Sequence, residues 1–268
     1  MTQIEALLGF LGEAVTPFHA VAAMSRRLSD AGFEEVERFD AETMTAGRGY
    51  FMTRQGSSLI AMRAGQGRPD AGLRLIGAHT DSPNLSVKPN PVKGLDGCVQ
   101  LGVDVYGGAL LNPWFDRDLA IAGRVTLLTT SGELCSTLFD SARPVAVVPS
   151  LAIHLDREAN KQRSINPQKD VVPLVMLGDP QQFDFKAWLA ETLTAQDSQW
   201  QDARVMDYEL SLYDVQAPAI AGIDESWITS ARLDNLLSCF AGLSALVDAE
   251  DAEWSMLVAT DHEEVGSA

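Results

Sequence analysis

The chain has 268 residues, 46% of them hydrophobic, and a formal net charge of -17 at pH 7. Such an acidic surface repels phosphate backbones and argues against nucleic-acid binding, and no apolar run approaches the ~20 residues that span a bilayer. Three scattered cysteines, none in a Cys-x-x-Cys pair, favour a reducing compartment. Because the first residues also lack the basic start of a signal peptide, we expect a cytoplasmic protein with no nucleic-acid or membrane partner.

The N-terminal part of the chain predicts two helices and a hairpin. Apolar residues recur at helical spacing over residues 4–10 and 20–31, and Pro17 separates the two helices. Residues 48–53 and 57–63 have the composition of two strands joined by a short turn, which predicts a β-hairpin.

The next predicted strand begins at Leu73 and ends in two residues that can bind or orient a metal ion, His79 and Asp81. A histidine at a strand end can bind a metal through one ring nitrogen, and a carboxylate two residues later can orient the imidazole or bind the same ion. This spacing alone is weak support for a metal site, because most histidines near strand ends are ordinary surface or core residues.

The middle of the chain predicts an inserted β-rich domain. Pro83, Pro89 and Pro91 predict an extended segment that leads into it. Its short strands and single helix are predicted at 99–106, 120–130, 145–148, 171–177, 184–195 (the helix) and 204–215.

Two polar features lie within this predicted insert. The mixed charges of residues 114–118, Trp-Phe-Asp-Arg-Asp, favour an ion-pair corner over a binding rim. His154 lies on an apolar stripe, which by itself favours a packed histidine over a functional one.

Acidic side chains gather at two further predicted elements. Asp234 lies at the start of an apolar helix that reaches about residue 249, where a helix N-cap is the simplest explanation. The apolar run 256–259 predicts a buried strand, and Glu263 and Glu264 follow it. Since sites in open α/β sheets form beyond the carboxyl ends of strands, we expect these acids to lie near the end of the Leu73 strand.

This set of residues favours metal-assisted hydrolysis. Adjacent glutamates on a strand face opposite ways, but if the chain turns there, one can bind a metal while the other accepts a proton from water. Asp234 suits a carboxylate that bridges two ions held roughly 3.5–4 Å apart. Serine and cysteine hydrolysis are disfavoured, because the sequence has no Gly-x-Ser-x-Gly elbow and no cysteine in a histidine-rich context. Gly107-Gly108 also lacks the lysine of a phosphate-binding loop.

Five motifs in order resemble one known family. They are Gly77-Ala-His-Thr-Asp-Ser-Pro-Asn-Leu85, Tyr106-Gly-Gly with Trp114-Phe-Asp-Arg-Asp-Leu119, Leu151-Ala-Ile-His-Leu155, Leu233-Asp-Asn235 and Asp261-His-Glu-Glu-Val-Gly-Ser267. Jointly they are similar to the aspartyl aminopeptidase family, which includes the yeast vacuolar aminopeptidase, over nearly the whole chain. The resemblance implies an α/β fold: a mixed-sheet zinc-exopeptidase catalytic domain, residues 1–88 and 229–268, interrupted by an inserted β-rich dimerisation domain, residues 89–228.

The resemblance also implies roles for individual residues and a two-zinc cofactor. By motif match, His79 binds one zinc ion, Glu264 binds the other, and Asp234 bridges both. Glu263 is the implied general base, and Asp81 supports His79.

A sixth residue, His154, matches a family histidine that reaches the active site of a neighbouring subunit. The implied protein is a homo-oligomer, with a dimer as building block and a dodecamer as the family's common assembly. Its implied activity is that of a zinc metalloaminopeptidase acting on peptide substrates, with acidic N-terminal residues among those it removes.

One departure from the family pattern concerns the end of the chain. The family has a further aspartate and a further histidine ligand downstream of the two glutamates, whereas this chain ends four residues after Glu264. We therefore expect a chain truncated at its C-terminus and inactive or metal-poor by itself. Two alternatives remain open: a non-catalytic assembly or scaffold protein of the same fold, and a metal-dependent deacylase of small amides.

Overall fold

A computed structural model describes residues 2–40, 42–67, 72–250 and 253–266. These residues form two compact units: a host unit, Met1–Ser82 with Ala217–Ala268, and an inserted unit, Pro83–Gln216. Residues 267 and 268, which end the predicted catalytic domain, lie outside the described residues. Within the described part of the chain, no helix is long and apolar enough to cross a membrane.

The described residues contain five α-helices and thirteen strands. The helices are α1 (Gln3–Glu13), α2 (Pro17–Asp30), α3 (Phe185–Gln196), α4 (Leu233–Val247) and α5 (Glu263–Gly266). The strands are β1 (Glu34–Glu35), β2 (Gly49–Arg54), β3 (Ser58–Arg63), β4 (Leu73–His79), β5 (Asn84–Leu95), β6 (Cys98–Tyr106), β7 (Leu119–Leu128), β8 (Leu134–Asp140), β9 (Leu174–Leu177), β10 (Arg204–Asp214), β11 (Ala219–Ala221), β12 (Trp227–Thr229) and β13 (Trp254–Thr260).

The host unit is built on a mixed five-stranded sheet in the order β1-β2-β3-β13-β4. Strand β13 runs antiparallel to β3 and parallel to β4, so the last strand in sequence lies between two early ones. Helices α1, α2 and α4 bury Phe10, Met24 and Leu243 in one core with Phe51 and Leu257 of the sheet. This arrangement confirms the prediction of a mixed-sheet α/β fold.

Local sequence explains where the first two helices begin. The Thr2 hydroxyl caps α1 by accepting from the Glu5 N–H at 3.2 Å, and the Glu5 carboxylate accepts from the Thr2 N–H at 2.7 Å. Thr16 is the N-cap of α2, and Pro17 takes the first helical position, where its missing N–H costs no hydrogen bond. The predicted break at Pro17 is therefore confirmed.

The inserted unit is an antiparallel six-stranded sheet in the order β8-β7-β10-β5-β6-β9. Helix α3 packs on it through Phe185, Leu189 and Leu193, which are buried with Phe139 of β8 and Leu210 of β10. The predicted β-rich character of the insert is confirmed.

Several predicted elements of the insert differ from those observed. The extended segment predicted from its prolines is strand β5, whose pairing with β6 shifts between Val87 and Val92. Pro89 and Pro91 lie in that irregular stretch, which is how a strand can contain residues without an N–H. Residues 145–148 form isolated bridges, with Phe115, Leu119 and Leu174 among the partners, instead of the predicted strand.

Candidate metal centre

The candidate site lies at the carboxyl ends of the parallel strands β4 and β13. In their register His79 is opposite Thr260, and the Thr80 N–H donates to the Thr260 carbonyl at 2.8 Å. The chain segments that follow the two strands, one with Asp81 and one with Glu263, are therefore brought side by side.

The two adjacent glutamates lie on a helical turn. His262 has a left-handed backbone conformation, with φ 66°, and α5 begins directly after it. Successive side chains on a helix are about 100° apart, whereas those on a strand point in opposite directions. The chain therefore turns here, as it must if Glu263 and Glu264 are to have different roles, one binding a metal and the other accepting a proton from water.

Asp81 joins the ends of the two strands. Its side chain is fully buried, and its two oxygens accept from the N–H groups of Glu263 at 3.3 Å and Glu264 at 3.1 Å. The same carboxylate lies 3.3 Å from Nδ1 of His79. One buried side chain thus orients three of the predicted site residues, which is the supporting position predicted for Asp81.

His79 presents its other ring nitrogen to the acids. Nδ1 lies 3.0 Å from the Asp81 carbonyl oxygen, which leaves Nε2 to face the acids. Nε2 lies 3.3 Å from an Asp234 oxygen and 3.7 Å from a Glu263 oxygen. This is the ring orientation that a metal ligand requires.

The start of α4 places Asp234 opposite His79. Arg232 has a left-handed backbone with φ 60°, and its guanidinium donates to the carbonyls of Ala14 at 3.2 Å and Leu11 at 3.3 Å. Asp234 itself is non-helical, and its peptide bond to Asn235 is cis. Its carboxylate is 81% exposed and faces His79, so the simple explanation of Asp234 as a helix N-cap is wrong.

The donor set suits a divalent cation. Ligand atoms of His79, Glu263 and Glu264 all lie within 4.8 Å of one another. Burial raises the pKa of the Glu264 carboxyl, the negative charges of Asp234, Asp81 and Glu263 raise it further, and His79 lowers it. Imidazole nitrogen and carboxylate oxygen are ordinary zinc ligands, and a cation would offset the crowding of negative charge. The residues present therefore fit zinc.

The remaining predicted site residue lies in the inserted unit. His154 is exposed, and so are its apolar neighbours Leu151 (62%), Ile153 (47%) and Leu155 (75%). The interpretation of His154 as a packed histidine is therefore wrong. The predicted ion-pair corner contains Arg117, which lies 3.6 Å from Asp214.

Three residues near the site were not singled out from the sequence. The Ser82 hydroxyl donates to the Asp234 carbonyl at 2.8 Å. Asn235 and Cys239 contact the main chain of His79. Ser82 and Asn235 directly follow the predicted site residues Asp81 and Asp234, which is the one feature of the sequence that points to them. Nothing in the sequence indicates a role for Cys239.

Comparisons with known proteins identify the family. A model of the family described as aminopeptidase I zinc metalloprotease (M18) matches residues 10–268. A probable M18 family aminopeptidase 2 of Ectopseudomonas mendocina is 53% identical over 268 residues, a match that covers 98% of this chain and 62% of that protein. The structure of Chaetomium thermophilum mApe1 is similar with a TM-score of 0.87 and 30% identity, over 98% of this chain and 63% of that one. The mApe1 dodecamer of S. cerevisiae is similar with a TM-score of 0.80 and 26% identity, over 98% of this chain and 61% of that one.

These matches test the predicted family and its metal. The chain spans about three fifths of the length of the curated relatives it matches, 62% and 61% for the first two. The matching family is described as a zinc metalloprotease, which confirms zinc as the predicted cofactor. The chain belongs to the M18 family of aminopeptidase I zinc metalloproteases.

Proposed function

We propose that this protein is a two-zinc aminopeptidase that removes N-terminal residues, acidic ones among them, from peptides. The observation that carries the proposal is the convergence of His79, Asp234, Glu263 and Glu264 at one edge of the host unit. Membership of the M18 family supports zinc and an aminopeptidase reaction. The preference for acidic residues is supported by the resemblance to aspartyl aminopeptidases.

In this proposal the ligands divide between two ions. His79 would hold one zinc ion through Nε2, Glu264 would hold the second, and Asp234 would bridge them. Asp234 suits the bridge because its carboxylate is exposed and one of its oxygens lies 3.3 Å from Nε2. Bound zinc supplies Lewis-acid activation of water and of the peptide carbonyl.

Glu263 is the proposed general base. Its carboxylate is half-exposed, and one oxygen lies 3.7 Å from Nε2 of His79, so it is close to the proposed ligands and open to water and substrate. That oxygen takes a proton from the attacking water and delivers it to the amine as the C–N bond breaks. Such acid–base catalysis contributes about 10²–10⁴-fold to the rate.

His154 is proposed to act in the active site of a neighbouring copy. It is exposed on the inserted unit and flanked by exposed leucine and isoleucine side chains, as an interface residue would be. A homo-oligomer, with a dimer as its building block, is therefore part of the proposal. The dodecamer named for the yeast relative supports an assembly of this kind.

Hydrolysis of aminoacyl p-nitroanilides tests the activity. The chain is assayed alone and as a fusion in which it continues into the part of the Ectopseudomonas mendocina relative that it does not span. We expect the fusion to release nitroaniline from Asp and Glu substrates faster than from Leu and Lys substrates, and a chelator to abolish the reaction. Glu263→Gln, which keeps the shape and removes the base, lowers kcat by about 10²-fold or more.

Three results would contradict the proposal in different ways. Activity that survives complete chelation excludes the metal mechanism. A folded fusion without stoichiometric zinc indicates the non-catalytic scaffold. Hydrolysis confined to N-acylated amino acids indicates the deacylase.

A further inference from the structure

The main-chain groups of His79 face the side of β4 that no described strand pairs with. Strand β4 is the last in its sheet, and β13 is its one strand partner among the described residues. The Thr80 N–H points toward β13, where it donates to Thr260. Successive residues of a strand point their N–H and C=O groups to opposite sides, so those of His79 point away from β13.

Helix α4 supplies partners for both groups. The His79 N–H donates to Oδ1 of Asn235 at 3.1 Å, and the thiol of Cys239 donates to the His79 carbonyl at 3.1 Å. Asn235 lies at the kink at the start of α4, and Cys239 lies four residues later in the helix. Without them two polar groups of a mostly buried residue would lack partners, which is unfavourable.

The thiol of Cys239 is suited to donate. Cys239 is fully buried between α4 and the sheet, and it lies in the same core as Leu236 and Leu243. Its S–H group is the one hydrogen-bond donor of the side chain, and the His79 carbonyl accepts it.

We propose that Asn235 and Cys239 are positioning residues that hold the main chain of His79 and keep its imidazole in register with Asp234. Asn235 follows Asp234 directly in sequence. The chain segment that carries one proposed ligand, Asp234, therefore also hydrogen-bonds to the main chain of the other, His79. A small movement of α4 then carries both ligands together and preserves the distance between them. The inference rests on the proposed metal site.

Two measurements separate this role from general packing. In the zinc-free chain, Asn235→Ala should raise the hydrogen-exchange rate of the His79 amide by about ten-fold or more and leave the Thr80 amide unchanged. Zinc affinity is measured by competition with a chromophoric chelator. Cys239→Val, which has a similar shape and no donor, should weaken zinc binding by about 10- to 100-fold, as losses of ligand-supporting hydrogen bonds do. Cys239→Ser, which keeps a donor, should stay within about three-fold of the wild type.

Leu243→Ala is the matched control. Leu243 is buried on the same helix, so its truncation destabilises the fold while zinc affinity of the folded protein stays unchanged. Unchanged exchange at His79 in Asn235→Ala, or equal losses of zinc affinity in Leu243→Ala and Cys239→Val, overturns the positioning role. Zinc affinity is measured on the fusion protein that continues this chain into the Ectopseudomonas mendocina relative, and failure of the wild-type fusion to bind zinc contradicts the metal site and removes the positioning role with it. Zinc binding that is as tight in Cys239→Val and Asn235→Ala as in the wild type overturns the positioning role alone.

Discussion

Asp81 shows how much of the site depends on one residue. A fully buried carboxylate is costly unless its oxygens are hydrogen-bonded, and those of Asp81 face the N–H groups of Glu263 and Glu264 and the His79 ring. The directions in which the two glutamates leave the main chain are consequently set by a side chain on the other strand.

We expect Asp81→Asn to weaken both the fold and the metal site. The amide nitrogen would face a glutamate N–H, so one donor would oppose another, at a cost of about 1–3 kcal/mol in the free energy of unfolding. Zinc affinity should fall by about 10- to 100-fold because His79 and the glutamates lose their common support. Urea unfolding of the zinc-free chain and chelator competition measure the two effects. The control is Asp30→Asn, an exposed change at the end of α2 that should alter neither quantity, and wild-type zinc affinity in Asp81→Asn would contradict the role.

The sequence identifies the residues that carry the chemistry more readily than those that hold them. His79, Asp234, Glu263 and Glu264 could be singled out because each is a chemically reactive type at the end of an apolar element. Cys239 could not, because its contact is with a main-chain carbonyl 160 positions away and depends on how α4 lies against β4. The apolar helix pattern around Cys239 predicts burial and nothing more specific.

Among the elements, β7 has a position where the backbone requires glycine. Gly123 has φ 153°, and a Cβ there would lie 2.0 Å from the Glu209 carbonyl oxygen of β10. The two strands pair at this point, with Gly123 opposite Leu210, so neither main chain can move without breaking ladder hydrogen bonds.

Gly123→Ala should therefore destabilise the inserted unit strongly. A strained backbone costs about 1–3 kcal/mol, and the clash with a main-chain atom adds to that figure. We expect the free energy of unfolding to fall by at least about 2 kcal/mol, measured by urea denaturation. Gly108→Ala is the control, since nothing lies within 4 Å of a Cβ at that position, and a change of less than about 0.5 kcal/mol is expected there. Equal effects of the two substitutions would contradict the steric explanation.

The irregular part of β5 is held by a tyrosine from β10. The one proton of the Tyr208 hydroxyl is shared between the carbonyl oxygens of Lys88, at 2.8 Å, and Pro89, at 3.0 Å. Burial raises the pKa of Tyr208 to about 12, and the Asp207 charge adds to the shift. The sequence predicted only an extended segment here, because its prolines and irregular pairing do not give the alternating pattern of a strand. The contact with Tyr208 of β10 cannot be predicted from the local sequence.

Because of Tyr208, the free energy of unfolding of the inserted unit should depend on pH in the alkaline range. Because the folded-state pKa is raised above the ordinary value of about 10, its contribution is complete below pH 10 and is lost as the pH rises towards 12. Tyr208→Phe should lower the free energy of unfolding at pH 8 by about 1–3 kcal/mol, because the shared hydrogen bond is lost and two carbonyl oxygens are left without this donor. The difference between wild type and variant should shrink between pH 10 and 12 in urea titrations, and a difference that is constant with pH would contradict this reading.

For the whole molecule, the family and the mixed α/β fold were within reach of the sequence because five motifs occur in order. The apolar stripe around His154 by itself predicts burial whether the partner surface lies in the same chain or in another copy, and only the family resemblance implied a position at an interface. The structure exposes that stripe, which is what an interface between copies requires.

Leu155→Glu tests the assembly. Leu155 is 75% exposed, so the change should leave the stability of a single copy within about 0.5 kcal/mol. In the assembled protein it would bury a charge at the interface, and light scattering should show a smaller particle than the wild type. Gln162→Glu, an exposed change of equal charge in the same segment, should leave the particle size unchanged. A wild type that is monomeric, or a Leu155→Glu variant of unchanged mass, would contradict the proposed homo-oligomer.

The central place of β13 in its sheet has a consequence for biosynthesis. Strands β3 and β4 emerge from the ribosome early, yet the strand that joins them is made only after the entire inserted unit. At 5–20 residues per second, that delay is about 10–30 s. During this delay the edges of β3 and β4 that later pair with β13 are open to pairing with other nascent chains. Crowding on a polysome therefore favours misfolding of the host unit more than of the insert, whose strands are contiguous in sequence.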